Sequence, residues 1–90
     1  MGYWLYVLHS KTKEKYYIGQ TGDLEDRIRR HNGGRSKYTK DGKPWELMYS
    51  EEYATRSEAV RRELYLKSPS GWKELEKIKH KYLRDVAQPG

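Results

Sequence analysis

Two aromatic, apolar runs, YWLYVLHS at residues 3–10 and KYYIGQT at residues 15–21, are separated only by the polar KTKE. Short runs rich in aromatic and β-branched residues, joined this closely, form two antiparallel strands of one hairpin. With 90 residues and 34% apolar content the chain has room for a single small core, so every later element must pack on that hairpin.

The later elements punctuate themselves clearly. In DLEDRIRRHNGG, Asp23 is an N-cap, Leu24 and Ile28 lie four apart, and NGG is a stop, which predicts a first helix. SKYTKDGKP is a polar loop, and WELMYS at 45–50 alternates as a third strand. Thr55 and Glu58 form a capping box that opens a helix through Lys67, with Ala59, Val60 and Leu64 expected on one side. SPSGW interrupts it, and Ser68 and Pro69 cap and begin a last helix over KELEKIKHKYLRDV. The order predicts an α/β domain: a small sheet of about three strands, largely antiparallel, flanked by helices. That domain is expected over residues 1–83, with 84–90 as a flexible C-terminal tail.

Absent residue types narrow the function. There is no cysteine, which removes disulfides and thiolate metal sites and makes a reducing cytoplasm the expected compartment. With three histidines in addition, a structural zinc site is not expected. The longest apolar run, YWLYVL, is strand-sized, so a soluble protein with no membrane partner is expected.

The net charge of +6 is unevenly spread. Arg27, Arg29, Arg30, Arg35, Lys37, Lys40 and Lys43 face a single acid, Asp41, across residues 27–43. Such a block fits a polyanion, nucleic acid first, or else a solvated surface. Nine tyrosines and three tryptophans without phenylalanine tilt the choice toward nucleic acid, because amphipathic aromatics suit both a small wet core and stacking on bases. Within the block, Arg30, Arg35, Lys37 and Lys40 are candidate phosphate contacts, and Tyr38 either stacks on a base or packs with Trp45 against the sheet.

A symmetric hairpin centred between Lys11 and Thr12 places Tyr6 opposite Tyr17, Trp4 opposite Gly19, Leu5 opposite Ile18 and Val7 opposite Tyr16. One face is then apolar, and the other carries both tyrosines beside the gap left by Gly19. On the first helix, positions 24, 27, 28 and 31 form one stripe, which turns Arg27 and His31 inward with Leu24 and Ile28. Glu63 and Lys67 share the stripe of Ala59, Val60 and Leu64 on the second. An Arg27–Glu63 ion pair would account for this, yet a partly buried pair returns little stability for its desolvation. Lys67 either touches phosphate or pairs with Glu63 on the helix surface. His9 is expected at the surface near a strand end, and His80 on an exposed basic face.

Phosphodiester hydrolysis would use these groups well. An arginine grips a phosphoryl oxygen with two N–H donors, and one carboxylate can hold a Mg²⁺ that keeps most of its waters. A tyrosine, with an ordinary pKa of about 10, accepts a proton near neutrality only when cations depress it.

The segments WLYVL, YYIGQTGDLEDRIRRHN and SKYTKDGKPWELMYSEEYATRSEAVRRELYLK together resemble the single-domain branch of the GIY-YIG endonuclease superfamily, whose relatives include the N-terminal nuclease domain of a DNA-repair excinuclease and some homing endonucleases. The similarity spans residues 3–67. It implies a DNA-cleaving enzyme, with DNA repair as its setting and a single Mg²⁺ or Mn²⁺. By the same resemblance Tyr17 is the general base or water-orienting group, Tyr6 its partner, Arg27 the catalytic arginine, His31 the associated histidine and Glu63 the metal-binding carboxylate. Three departures qualify the match. Trp4 replaces a glycine of the first motif, Gln20 stands where excinuclease-like members carry a lysine, and the sole asparagine is Asn32, so the late asparagine of several members is missing. The alternative reading is therefore a nucleic-acid-binding module whose nuclease site is degenerate or weak; a third is a protein-interaction domain. Partner expectations are DNA, with RNA left open, and a protein that supplies substrate targeting.

Overall fold

The computed structural model describes residues 2–10, 12–33 and 44–87, with side chains described as far as Tyr82. The elements run β1 (Tyr3–Ser10), β2 (Lys15–Thr21), α1 (Leu24–Asn32), β3 (Trp45–Tyr53), α2 (Arg56–Lys67), a 3₁₀ turn (Pro69–Gly71) and α3 (Trp72–Ala87). Both strand pairings are antiparallel and the sheet order is β2-β1-β3, which is the expected α/β architecture. Among the described residues, no helix is long and apolar enough to cross a membrane.

The hairpin register differs from expectation by two residues: Tyr6 pairs with Gly19, Leu8 with Tyr17, Val7 with Ile18 and Trp4 with Thr21. The cause is the turn. A two-residue loop takes a type I′ or II′ turn, which needs positive φ at both central residues or at the first, and neither Lys11 nor Thr12 favours that conformation. Instead Ser10 pairs with Lys15 and the Glu14 N–H bonds Ser10 O at 2.9 Å. Of the described non-glycine residues only Glu14 takes a left-handed conformation, at φ 53°. Because a shift of two preserves parity, the side chains keep their expected faces.

Those faces bury two clusters. Leu5, Val7 and Ile18 pack with Leu66 of α2 and Leu75 of α3. On the reverse of the sheet, Tyr6, Leu8 and Trp45 pack under Leu24 and Ile28 of α1. Strand β3 serves both clusters because of a bulge: Val7 pairs with Tyr49 while Leu8 pairs with Leu47, leaving Met48 as the extra residue. Without it Trp45 and Tyr49 would share a face; with it Trp45 lies beneath α1 and Tyr49 faces α2 and α3.

Helix α2 has both capping-box bonds, from the Glu58 N–H to Thr55 Oγ1 at 3.3 Å and from the Thr55 N–H to Glu58 Oε1 at 3.2 Å. Its buried stripe is not the expected one. Leu64 is 60% exposed, whereas Leu66 is 1% exposed and Ala59 is buried, so the inward positions are 59, 62, 63 and 66. Arg62 occupies that stripe because it is fully engaged. It forks onto Glu51 of β3 (2.9 and 3.0 Å) and onto Glu74 of α3 (3.0 and 2.5 Å), while Tyr49 and Tyr53 donate their hydroxyls to Glu51. Burial pushes the Glu51 carboxyl up, but these hydrogen bonds outweigh it and hold the group below the usual carboxylate range. Beside that carboxylate Tyr53 is pushed up to about 12, chiefly by burial.

The corner between α2 and α3 is closed by Ser68, whose Oγ accepts the Gly71 N–H at 3.3 Å. Gly71 itself has no space for a side chain: a Cβ there would lie 2.0 Å from the Tyr65 carbonyl oxygen. His9, expected at the surface, is instead 5% exposed, stacked on Tyr16 (5.0 Å between ring centres) and edged by Tyr82 (5.6 Å). Helix α3 extends over the end of β1 and covers it, which local sequence around His9 does not reveal.

Candidate active site

Four side chains singled out in the sequence, Tyr6, Tyr17, Arg27 and His31, come together beneath α1 and beside the edge strand β2, and Glu63 of α2 acts on Tyr6 electrostatically. Asp23 starts α1 in place by accepting the Asp26 N–H at 3.1 Å. Leu24 and Ile28 then seat the helix on the sheet, and the same periodicity turns Arg27 and His31 toward Tyr6. Tyr6 is 1% exposed and His31 2% exposed.

Tyr6 Oη and His31 Nε2 lie 3.2 Å apart. The Arg27 guanidinium is close enough for its charge to act on the Tyr6 hydroxyl. Burial, reinforced by the nearby Tyr17 and Glu63, pushes the Tyr6 hydroxyl well above the ordinary tyrosine value despite Arg27. Burial, followed by the Arg27 charge, holds His31 below the ordinary histidine value. At neutral pH the set is therefore Arg27 charged, Tyr6 protonated and His31 neutral. The rings of Tyr17 and His31 are 4.8 Å apart, and those of Tyr6 and Tyr17 are 6.2 Å apart and stacked.

Gly19 creates this space, opposite Tyr6 and not opposite Trp4 as expected. A Cβ at Gly19 would stand 2.6 Å from Tyr6 Oη and 3.1 Å from Tyr17 Cε1. The two tyrosines are thus diagonal neighbours across the hairpin, bridged by a position without a side chain.

Glu63 acts on Tyr6 electrostatically and is paired with Lys67 at 2.7 Å. The helix-surface alternative for Lys67 is the arrangement present. Among the described residues no three His, Asp or Glu side chains cluster as a metal cage. The single Glu63 carboxylate fits a hard cation that keeps most of its waters and takes its remaining ligands from substrate phosphate. Of the basic candidates, Arg30 is exposed and paired with Asp26 at 3.0 Å. Arg35, Lys37, Tyr38 and Lys40 lie outside the described residues. Gln20, on the strand face opposite Tyr17, accepts a hydrogen bond from Arg56 Nη1 at 3.1 Å.

Sequence reasoning missed Asn32. Its Nδ2 donates to Trp45 O at 3.1 Å and its Oδ1 accepts the Trp45 N–H at 2.5 Å, joining the end of α1 to the start of β3. The HN dipeptide followed by PW thirteen residues later was its visible trace.

The His31 environment predicts a pH dependence of stability. The unfolded chain binds a proton near pH 6.5, whereas folded His31 binds it only at lower pH. Its contribution is therefore complete above about pH 6.5 and is lost as pH falls through the folded value. Urea unfolding at pH 7.5 and pH 5 should show the loss, and His31→Gln should flatten that part of the profile. Glu51 and Glu74, both held below their ordinary value of 4.5, act in a more acidic window.

Residues 2–79 match the family model described as the GIY-YIG catalytic domain. The chain is 39% identical over 77 residues to a UPF0213 protein of Staphylococcus saprophyticus, covering 84% of this chain and 93% of that one. It is also 39% identical over 66 residues to the UPF0213 protein YazA of Bacillus subtilis, covering 72% of this chain and 66% of that protein, just under two thirds of its length. The solution NMR structure of a UPF0213 protein from Bacillus halodurans superimposes with a TM-score of 0.54 at 26% identity, over 99% of this chain and all of that one.

Proposed function

The chain belongs to the GIY-YIG family, a nuclease family, and from that premise we propose that it hydrolyses DNA phosphodiester bonds by attack of water, with Mg²⁺ or Mn²⁺ at Glu63. The observation that carries the reading is the buried Tyr6–His31 pair at 3.2 Å beside Tyr17, with the Arg27 charge close enough to act on both.

Arg27 stabilises the phosphoryl charge that grows in the transition state, a task for a forked donor held in a partly desolvated position. Tyr6 cannot be the base, because its proton is retained. Tyr17 orients or deprotonates the attacking water, and His31 is the neutral group beside it that can share the proton. A divalent ion at Glu63 would supply charge stabilisation at the leaving oxygen. In its absence Lys67 balances Glu63, and once released Lys67 can contact phosphate. Arg30, Arg35, Lys37, Tyr38 and Lys40 are the proposed contacts to the strand flanking the cut.

The test is incubation with supercoiled, single-stranded and branched DNA, and with RNA, with Mg²⁺ or with chelator. Metal-dependent nicking is expected, and Glu63→Gln should abolish it while DNA binding persists. Binding with a steep salt slope and no cutting of any substrate would replace the nuclease with the binding module.

A further inference from the structure

We propose that Asn32 is a positioning residue for His31: by gripping both backbone polar groups of Trp45, it fixes the last turn of α1 on β3 and keeps the His31 ring on the Tyr6 hydroxyl. The role of His31 itself rests on the function proposed above; its placement by Asn32 does not.

Helix α1 has only nine residues, from Leu24 to Asn32, a length that does not hold itself together without tertiary contacts. Its first two turns are seated by Leu24 and Ile28 against Tyr6, Leu8 and Trp45. The last turn carries the outward-facing Arg29 and Arg30, and its terminal backbone bond, from the Gly33 N–H to Arg29 O at 2.8 Å, is internal to the helix. Helix ends fray when their final turn lacks an external hold. Asn32 provides that hold with two hydrogen bonds of opposite sense to a single residue, as a neighbouring strand would.

The geometry explains why this residue type stands next to His31. A carboxamide offers one acceptor and one donor in a plane, matching the N–H and C=O of Trp45. Aspartate keeps only the acceptor and places charge against the Trp45 carbonyl. Trp45 is itself buried in the cluster that holds Leu8 and Tyr6, so the clamp references the end of α1 to the same strand pair that carries the phenol. The Tyr6–His31 contact of 3.2 Å is already at the long end of a hydrogen bond. Small rotations of the last turn would break it.

The experiment records long-range ¹⁵N–¹H imidazole spectra of His31 in the wild type, Asn32→Ala and Asn32→Asp, with Tyr6→Phe marking a ring that has lost its partner. Turnover on a cleaved DNA substrate is measured alongside. The wild type should show one imidazole pattern, distinct from that of Tyr6→Phe. Both Asn32 variants should shift toward the Tyr6→Phe pattern and lose kcat, by about 100-fold, with KM little changed. If a folded variant keeps the wild-type imidazole pattern and kcat, Asn32 is a chain anchor only and the proposal falls. Asn32→Asp, which retains the Trp45 N–H acceptor, decides the matter if Asn32→Ala does not fold. Should the wild type cut no nucleic acid, the nuclease reading fails, while the imidazole comparison still judges Asn32.

Discussion

Arg27→Ala is expected to lower kcat for DNA cleavage by roughly 100- to 1,000-fold, the usual cost of removing one donor aimed at developing transition-state charge. The fold should survive, because Arg27 is only half-buried and the α1 face is seated by Leu24 and Ile28. Arg27→Lys should rescue little, since an ammonium cannot offer the planar fork. Two observations separate loss of chemistry from loss of structure. The Arg27 charge contributes to holding His31 below its ordinary value, so in Arg27→Ala the His31 titration, followed by NMR, should move upward. DNA binding, supported by many cations, should weaken modestly. Single-turnover cleavage by Arg27→Ala at the wild-type rate would remove Arg27 from the chemistry altogether.

The second large effect is structural. Gly71→Ala should destabilise the domain by about 3 kcal/mol, at the upper end of overpacking penalties, because the added Cβ meets a backbone oxygen at 2.0 Å and no side chain can swing away. For a domain this small, thermal unfolding followed by circular dichroism should move down by more than about 10 °C. The clash pries α3 from α2 and with it Glu74 from Arg62, so Ser70→Ala, one residue earlier and exposed, is the appropriate control. A midpoint for Gly71→Ala within about 3 °C of the wild type would show that the corner relaxes freely.

Local chemistry announced much of this molecule. Asp23, Thr55 and Glu58 cap the helices they were expected to cap, since capping depends on residues three apart. The division of hairpin side chains between two faces survived a wrong pairing because a two-residue slip leaves parity unchanged. Arg27 and His31 turned inward as their helical spacing required. What could not be read depended on distant partners. The hairpin register turned on whether Lys11 and Thr12 or a longer turn would absorb the positive φ, and the Met48 bulge is set by what lies on both sides of β3. Leu64 looked like core and Leu66 is core because Arg62 faces inward, which only Glu51 and Glu74, from separate elements, permit. His9 was misplaced for the same reason: Tyr82, seventy-three residues later, covers it.

The Asn32–Trp45 grip also has a thermodynamic consequence. It ties the neck of a segment whose sequence holds Arg35, Lys37, Lys40 and Lys43. Once a neck is tied, doubling the length of the chain between its two ends adds only about 0.6 kcal/mol of closure entropy. Lengthening the sequence between Asn32 and Trp45 is therefore expected to cost the domain little stability, which thermal unfolding of a variant with Gly-Ser residues inserted there would check.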